Sequence, residues 1–289
     1  LVIDPKLTTS FSNLAFIALY WWLNAPGIRS IPMTEPNRGP AWLVLPTYNE
    51  AANIEPFVAA VRGNLPVDAR ILIVDDGSPD GTGERADRLA ERHANVSVLH
   101  RREKEGLGPA YIAGFRRALA SGAGLVLEMD SDFSHDPAYL PRLLDASRNA
   151  DLVIGSRYVP GGGVSDWGAV RRTLSRGGSL YSRLLLGVDV RDLTGGFKCF
   201  RREVLEAIDL DSIEVRGYAF QVEMTYRAIR AGFKVVEVPI VFRDRRAGES
   251  KMDGAIVAEA IVQLPRLRFG SHHVEPADRP HEEPTPEEA

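Results

Sequence analysis

Gly124-Leu125-Val126-Leu127-Glu128-Met129-Asp130-Ser131-Asp132 reads as a buried strand that runs out into two carboxylates. Side chains alternate along a strand, which predicts Asp130 and Asp132 on one side and Ser131 turned away. Glu128 shares the parity of the two aspartates and is expected behind them or partly exposed on the strand. Paired carboxylates suit a hard divalent ion, which takes oxygen ligands and keeps part of its shell for phosphate. Upstream, Ile71-Leu72-Ile73-Val74 runs in the same way into Asp75-Asp76-Gly77-Ser78. Two apolar strands ending in acid predict one crevice for a metal-bound diphosphate, and an enzyme that handles a nucleotide-sugar.

The flanking pattern gives the fold class. Trp42-Leu43-Val44-Leu45 is a strand stopped by Pro46, and Asn49 is expected to cap a helix with apolar positions Ile54, Phe57, Val58 and Val61. Val96–Leu99, Leu152–Ile154 and Val235–Val238 read as further strands. Residues 109–119, 137–147 and 217–231 read as helices. Strands alternating with helices of this length predict an α/β fold with a mostly parallel central sheet, whose ligands bind beyond the carboxyl ends of the strands. Those ends carry the acids.

Of the 289 residues, 44% are hydrophobic, enough for a large core. The formal charge is −4, but residues 271–289 hold six acids against Arg279, a net of −5, so the rest of the chain sums to +1. A near-neutral body argues against nucleic acid as a partner. Cys199 is the only cysteine, which excludes an internal disulfide and reads as a small buried hydrophobe. Residues 271–289, with four prolines among acids, read as a disordered tail.

Between Lys6 and Arg29 no residue is charged, and the apolar stretch ends in Tyr20-Trp21-Trp22. A spanning helix needs about 20 residues, so residues 1–32 read as a membrane anchor, the remnant of a fused module, or an appended segment. The main domain is expected over residues 41–270. Its last helix, with Ile256, Val257, Ala260, Ile261, Leu264 and Leu267 on one face, is amphipathic and fits either a membrane surface or the core.

Other motifs fail or stay weak. Gly106-Leu107-Gly108 begins a dinucleotide fingerprint, but its third glycine falls on Tyr111. No Walker A sequence, zinc-spaced histidine pair or nucleophile elbow appears. His135 is near enough to the acids to touch phosphate or metal, though a loop histidine is more often solvated. Pro46-Thr47-Tyr48-Asn49-Glu50 offers an aromatic face and an acceptor for a nucleoside. Arg157, Arg171, Arg172, Arg176, Arg245 and Lys251 follow strands or glycine loops, and guanidinium groups bind phosphate oxygens as a fork.

As a set these residues resemble a known family. Pro46–Glu50, Val74–Thr82, Lys104–Gly108, Glu128–Asp132, Gly155–Tyr158, Leu174–Gly177, Thr194–Phe197, Gly217–Met224 and Gly248–Lys251 together resemble the dolichol-phosphate (polyprenol-phosphate) mannose synthases of glycosyltransferase family 2. The resemblance spans residues 41–255. It implies a GT-A (Rossmann-like) fold and a peripheral or singly anchored enzyme on the cytoplasmic face of a membrane. Pro46, Tyr48, Glu50, Val74, Asp75 and Asp76 would line the nucleotide site. Asp130 and Asp132 would hold Mg²⁺ or Mn²⁺ on the diphosphate, with Ser131 contributing backbone. Arg157, Arg245 and Lys251 would contact diphosphate or acceptor phosphate, and Arg171 and Ser175 would lie near the lipid phosphate. Ser131 departs from the alanine usual in the family. No hydrophobic helix pair follows Arg268, so membrane contact would come from a membrane-spanning partner protein or the first segment.

The implied reaction transfers mannose from GDP-mannose to a polyprenyl (dolichyl) monophosphate, with inversion and with Asp130, Asp132 and Arg157 at the chemistry. Glu223 is assigned to structure. One alternative keeps the fold and transfers glucose or N-acetylglucosamine from a UDP donor; another is a non-catalytic nucleotide-sugar-binding membrane scaffold.

Overall fold

The computed structural model describes residues 39–165, 167–213, 218–244 and 264–269. The expected anchor (1–32), acidic tail (271–289), Arg245 and Lys251 lie outside the described residues. Strand β1 (Ala41–Thr47) leads to helix α1 (Ile54–Arg62), β2 (Arg70–Asp75) to α2 (Thr82–Arg92), β3 (Val96–His100) to α3 (Leu107–Ala120), and β4 (Leu125–Glu128) to α4 (Leu140–Ala146). Then follow β5 (Leu152–Ser156), β6 (Gly163–Val164), α5 (Ala169–Leu186), β7 (Lys198–Arg201), α6 (Arg202–Ala207), α7 (Tyr218–Arg230), β8 (Val235–Pro239) and β9 (Val241–Phe242).

Seven strands form one sheet in the order β3-β2-β1-β4-β7-β5-β8, and β6 pairs with β9 beside it. All neighbours in the large sheet are parallel except β7, which runs antiparallel between β4 and β5. The apolar runs are continuous because both faces are covered. Val44, Leu72, Val74, Val126 and Ile154 face a layer with α3, α6 and α7. Their alternates Leu43, Leu45, Ile71, Ile73, Leu127 and Val153 face α1, α2 and α4.

Three local readings are corrected. Pro46 lies inside β1, which continues to Thr47. It costs no ladder bond, because pairing with β4 ends at Val44 opposite Glu128 and the missing N–H faces that vacated side. Asn49 caps no helix. It sits in a left-handed turn (φ 59°) and donates its N–H to Ser78 Oγ, while the first turn before α1 closes on the Glu50 carbonyl. Strand β4 stops at Glu128, so Asp130 and Asp132 occupy the loop beyond it.

Helix α5 buries only a narrow stripe, including Ser179, Ser182 and Leu186. Its outer side exposes Leu174 (47%), Leu180 (54%), Tyr181 (38%) and Leu184 (72%) beside exposed Arg172 and Arg176. Of the expected C-terminal amphipathic helix, residues 264–269 are described; they are helical, with Leu264 and Leu267 in the core. Among the described residues no helix is long and apolar enough to cross a membrane.

Helix α3 approaches the sheet at Gly114, where a Cβ would lie 2.3 Å from Val44 Cγ1 and 3.1 Å from Val74 Cγ2. Gly114→Ala is therefore expected to destabilise by about 1–3 kcal/mol through overpacking, against the gain of up to about 1 kcal/mol that alanine brings to a helix. Urea unfolding followed by circular dichroism measures it, and a stabilised variant would contradict this packing.

Candidate active site

The carboxyl ends of β1, β2 and β4 open onto a cleft of about 360 Å³, which continues past β7 to Arg157 after β5. Pro46, Tyr48, Glu50, Asp76, Asp130, Ser131, Asp132, Arg157 and Arg171 of the expected site all line it. Val74, Asp75 and Ser175 do not. Val74 is fully buried in the core beside α3. Asp75 has the opposite strand parity to Asp76. Its Oδ2 accepts the Ser78 N–H at 3.3 Å, and a Cβ on Gly83 of α2 would lie 3.0 Å from it. Ser175 bonds the Tyr158 hydroxyl at 2.6 Å.

The acid pair converges by loop geometry rather than strand alternation. Phe133 takes a left-handed φ of 65°, which turns the chain back. Asp132 is buried, with Oδ1 accepting the Ser134 N–H at 3.0 Å and the Ser134 hydroxyl at 2.5 Å. The Asp130 side chain is 31% exposed. Ser131 does not turn away from the site; its hydroxyl donates to the Pro46 carbonyl at 3.3 Å and ties the acid loop to the end of β1. An alanine would lack that tie. These donors fit a hard divalent cation: two carboxylates from one short loop, one set by hydrogen bonds and one open to the cleft, leaving further positions for phosphate oxygens.

His135 is buried, not solvated, against the rings of Phe197 and Phe242. Its Nδ1 accepts the Asp130 N–H at 3.3 Å, which commits that nitrogen to holding the loop. Burial pushes the Tyr111 hydroxyl well above its ordinary range, and the Asp130, Glu128 and Asp132 carboxylates push it further. It stays a neutral phenol.

At the β1–β2 end, Asp76 is gripped by Arg101 Nη1 at 2.5 Å and the Gly106 N–H at 3.2 Å. Lys104 places its ammonium 4.0 Å from the centroid of the Tyr48 ring, covering one face of it. Glu50 accepts from Asn53 Nδ2 at 2.8 Å, and its own N–H donates to Thr82 Oγ1 at 2.9 Å.

At the other end, Arg157 is buried and largely committed. Its Nε and Nη2 pair with the two oxygens of Asp192 at 2.8 and 2.6 Å, and Nη2 also donates to Thr194 Oγ1 at 2.8 Å. The fork expected for phosphate is thus turned onto an internal carboxylate, and Arg157 meets the cleft from between Tyr158, Trp167 and Phe242. Arg171 stacks 4.2 Å over the Trp167 ring and pairs with Asp244 at 3.0 Å.

The floor holds the residues that sequence reasoning missed or misplaced. Glu128 is not exposed at all. Its carboxylate lies 3.4 Å from Lys198 Nζ, also fully buried, directly across the β4–β7 ladder. Lys198 Nζ donates to the Gln221 carbonyl at 3.0 Å and to Gln221 Oε1. Burial raises the Glu128 carboxyl and lowers the Lys198 ammonium, and each partner opposes the other's shift. Nζ thus has two hydrogen-bond acceptors on Gln221 and an ion-pair partner in Glu128, whose two oxygens meet no donor at hydrogen-bonding geometry. Glu223 pairs with Arg227, which is anchored on the Ile208 carbonyl; Glu223 does not line the cleft. Cys199 is buried, its thiol pushed up to about 12 by burial.

Asp192 had no sequence signal beyond its chemistry. Burial alone would raise its carboxyl, but the Arg157 guanidinium overrides that and holds it below the ordinary 3.8. A depressed carboxylate contributes stability that is complete above the unfolded value and lost as pH falls through the folded one. Asp192→Asn is expected to cost about 3–5 kcal/mol at pH 7 by stranding a buried guanidinium, and to cost less as pH falls below 3.8. Denaturant titrations at pH 7 and pH 3 check both; equal losses at the two pH values would remove Asp192 from the acid limb.

Comparison with known proteins agrees with this architecture. Residues 42–209 match the model of glycosyl transferase family 2. The chain is 52% identical over 223 residues to an undecaprenyl-phosphate mannosyltransferase of Micrococcus luteus, covering 77% of this chain and 91% of that protein. It is 51% identical over 224 residues to a polyprenol monophosphomannose synthase of Mycolicibacterium smegmatis (77% and 84%). It is 37% identical over 229 residues to a dolichol-phosphate mannosyltransferase of Pyrococcus furiosus (78% and 62%). Among solved structures, glucosyl-3-phosphoglycerate synthase from Mycobacterium tuberculosis in complex with Mn²⁺ and UDP-glucose is similar, with a TM-score of 0.57 at 21% identity over 81% of this chain and 80% of that one. At that identity the likeness shows the fold alone, GT-A. The chain belongs to glycosyl transferase family 2, together with relatives named as mannosyltransferases and mannose synthases of polyprenyl phosphates.

Proposed function

We propose that this glycosyltransferase transfers mannose from GDP-mannose to a polyprenyl monophosphate at a membrane surface. The observation that carries the reading is one continuous cleft with an acid pair at its centre, polar nucleoside-sized walls at one end and buried or stacked arginines at the other. Tyr48, Glu50 and Asp76 take the guanosine. A carboxylate has up to four lone-pair sites, so Asp76 can accept from a base even while it holds Arg101 and Gly106. Asp130 and Asp132 would hold Mg²⁺ or Mn²⁺, which when bound neutralises charge on the departing diphosphate. Arg157 and Arg171 attract and orient the acceptor phosphate, with Arg245 and Lys251 assigned to phosphate by the family resemblance.

The acceptor brings its own nucleophile. A phosphate monoester has a second pKa of about 6, so near neutral pH it is mostly doubly charged and needs positioning more than deprotonation. That fits a cleft whose carboxylates are committed to structure or to the cation. In-line attack at the anomeric carbon inverts it and gives a β-linked lipid phosphosugar. The lipid chain would leave along α5, where Leu174, Tyr181 and Leu184 are exposed beside Arg172 and Arg176, a composition suited to an anionic bilayer surface. We place that surface on the cytoplasmic side, where a membrane-spanning partner protein or residues 1–32 would add anchorage.

The test is incubation of the protein with membranes, Mg²⁺ and labelled GDP-mannose, with UDP-glucose and UDP-N-acetylglucosamine in parallel. A mild-acid-labile lipid product from GDP-mannose alone is expected. Chelation should abolish it, and added Mg²⁺ or Mn²⁺ should restore it. Asp132→Ala should lower turnover by at least about 100-fold, since even partners one layer behind a metal ligand cost roughly 10–100-fold when lost. Turnover indifferent to both would refute the metal reading, and labelling from a UDP-sugar instead would change the donor. The one-bond carbon–proton coupling at the anomeric centre should report a β product; an α product would overturn the single-displacement mechanism.

A further inference from the structure

Gln221 sits on the floor of the cleft with its amide orientation fixed from below. Lysine can only donate, so the side-chain oxygen must face Lys198, which bonds both Oε1 and the main-chain carbonyl of the same residue. The amide NH₂ is thereby turned the other way. Nε2 is buried and reaches no partner at hydrogen-bonding geometry, although the Gln221 side chain is close enough to the Glu128 carboxylate to favour its charged form. It borders Gly196, where a Cβ would lie 3.4 Å from Nε2 and 3.9 Å from Asp130 Oδ1. Gln221, Gly196 and Asp130 all line the cleft. A buried donor without a partner is costly, and two N–H groups cannot both be answered by one carboxylate edge.

The sheet order says what belongs there. From β2 and β1 through β4 and β7 to β5, the cleft passes Asp76 and Pro46, then the acid loop, then Gly196 and Gln221, then Arg157. On the function proposed above, nucleoside, diphosphate and acceptor phosphate occupy the first, second and last positions. The remaining position, between diphosphate and acceptor, is that of the transferred sugar. We infer that the Gln221 side-chain amide is a specificity-determining contact that donates a hydrogen bond to a hydroxyl of the donor's pyranose ring, with Lys198 as the positioning residue that sets its direction. Gly196 lacks a side chain where one would stand between that amide and the ligand.

This inference rests on the proposed donor, and the experiment separates the two. Gln221→Glu keeps an acceptor for Lys198 at the same length but replaces the NH₂ with oxygen; Gln221→Met keeps the shape with no donor. Calorimetry with Mg²⁺ compares GDP and GDP-mannose on the full chain and on each variant, so that each protein supplies its own reference. GDP affinity should be unchanged, while the added affinity of GDP-mannose over GDP, and kcat/KM for transfer, should fall by roughly tenfold or more in both variants, the loss expected when a buried donor–hydroxyl bond is removed. Variants that keep the parent's ratio of the two affinities would overturn the assignment of Gln221 and leave the donor reading standing. Equal losses for GDP and GDP-mannose would place the amide on the diphosphate and also overturn it. A parent protein that binds GDP but shows no GDP-mannose turnover would refute the donor, and this inference with it.

Discussion

A lysine ammonium without access to water lies under the centre of the cleft. Burying such an ion costs several kcal/mol unless it is paired, and Lys198 bonds two oxygens of Gln221 and pairs with the Glu128 carboxylate at 3.4 Å. The three residues come from β4, β7 and α7, so satisfying one charge fixes the register of the antiparallel strand β7 and the seat of the helix behind it. Two residues beyond Glu128 begins the acid loop. Two residues before Lys198 lies Gly196. The cleft floor is thus the upper side of a polar core that cannot rearrange without stranding a charge.

A second buried pair does the same at the far end. Asp192 holds Arg157 in a fork, and the Glu237 carboxylate on β8 accepts the N–H groups of Arg191 and Asp192 at 2.9 Å each. Asp192 and Glu237 therefore position the basic end of the cleft. Opposite charges alternate along the cleft: Asp76 with Arg101 and Lys104 nearby, then Asp130 and Asp132, then Arg157 and Arg171. On the proposed function, an anionic diphosphate and an anionic acceptor would share this cleft, and cationic groups between them would lower their repulsion.

The strands were legible where apolar runs ended in acid, because parallel strands buried on both faces have no polar alternation to confuse them. Strand β7 was not. Lys198-Cys199-Phe200-Arg201 has a charge at each end, which hides the strand, yet all four residues are buried. Lys198 finds Glu128 and Gln221, and the Arg201 guanidinium finds the carbonyls of Ser147, Arg148 and Ala150. Those partners lie 23 to 70 residues away, beyond the reach of any local pattern. Helix α5 was obscured for the opposite reason: Leu174, Leu180 and Leu184 face out, so its apolar positions do not all mark a core.

By itself the sequence determined that an α/β sheet ends in paired carboxylates, and its motifs identified the family. Both follow from short-range chemistry: hydrophobic runs, strand-ending acids and glycine turns are local in the chain. Only the tertiary structure decided that Asp75 faces α2 while Asp76 faces the cleft, that Arg157 is already paired, and that Gln221 is oriented by a buried lysine. Each of these depends on which distant group satisfies a buried charge, and a charge takes its partner from whatever the fold brings within hydrogen-bonding distance, whatever its position in the chain.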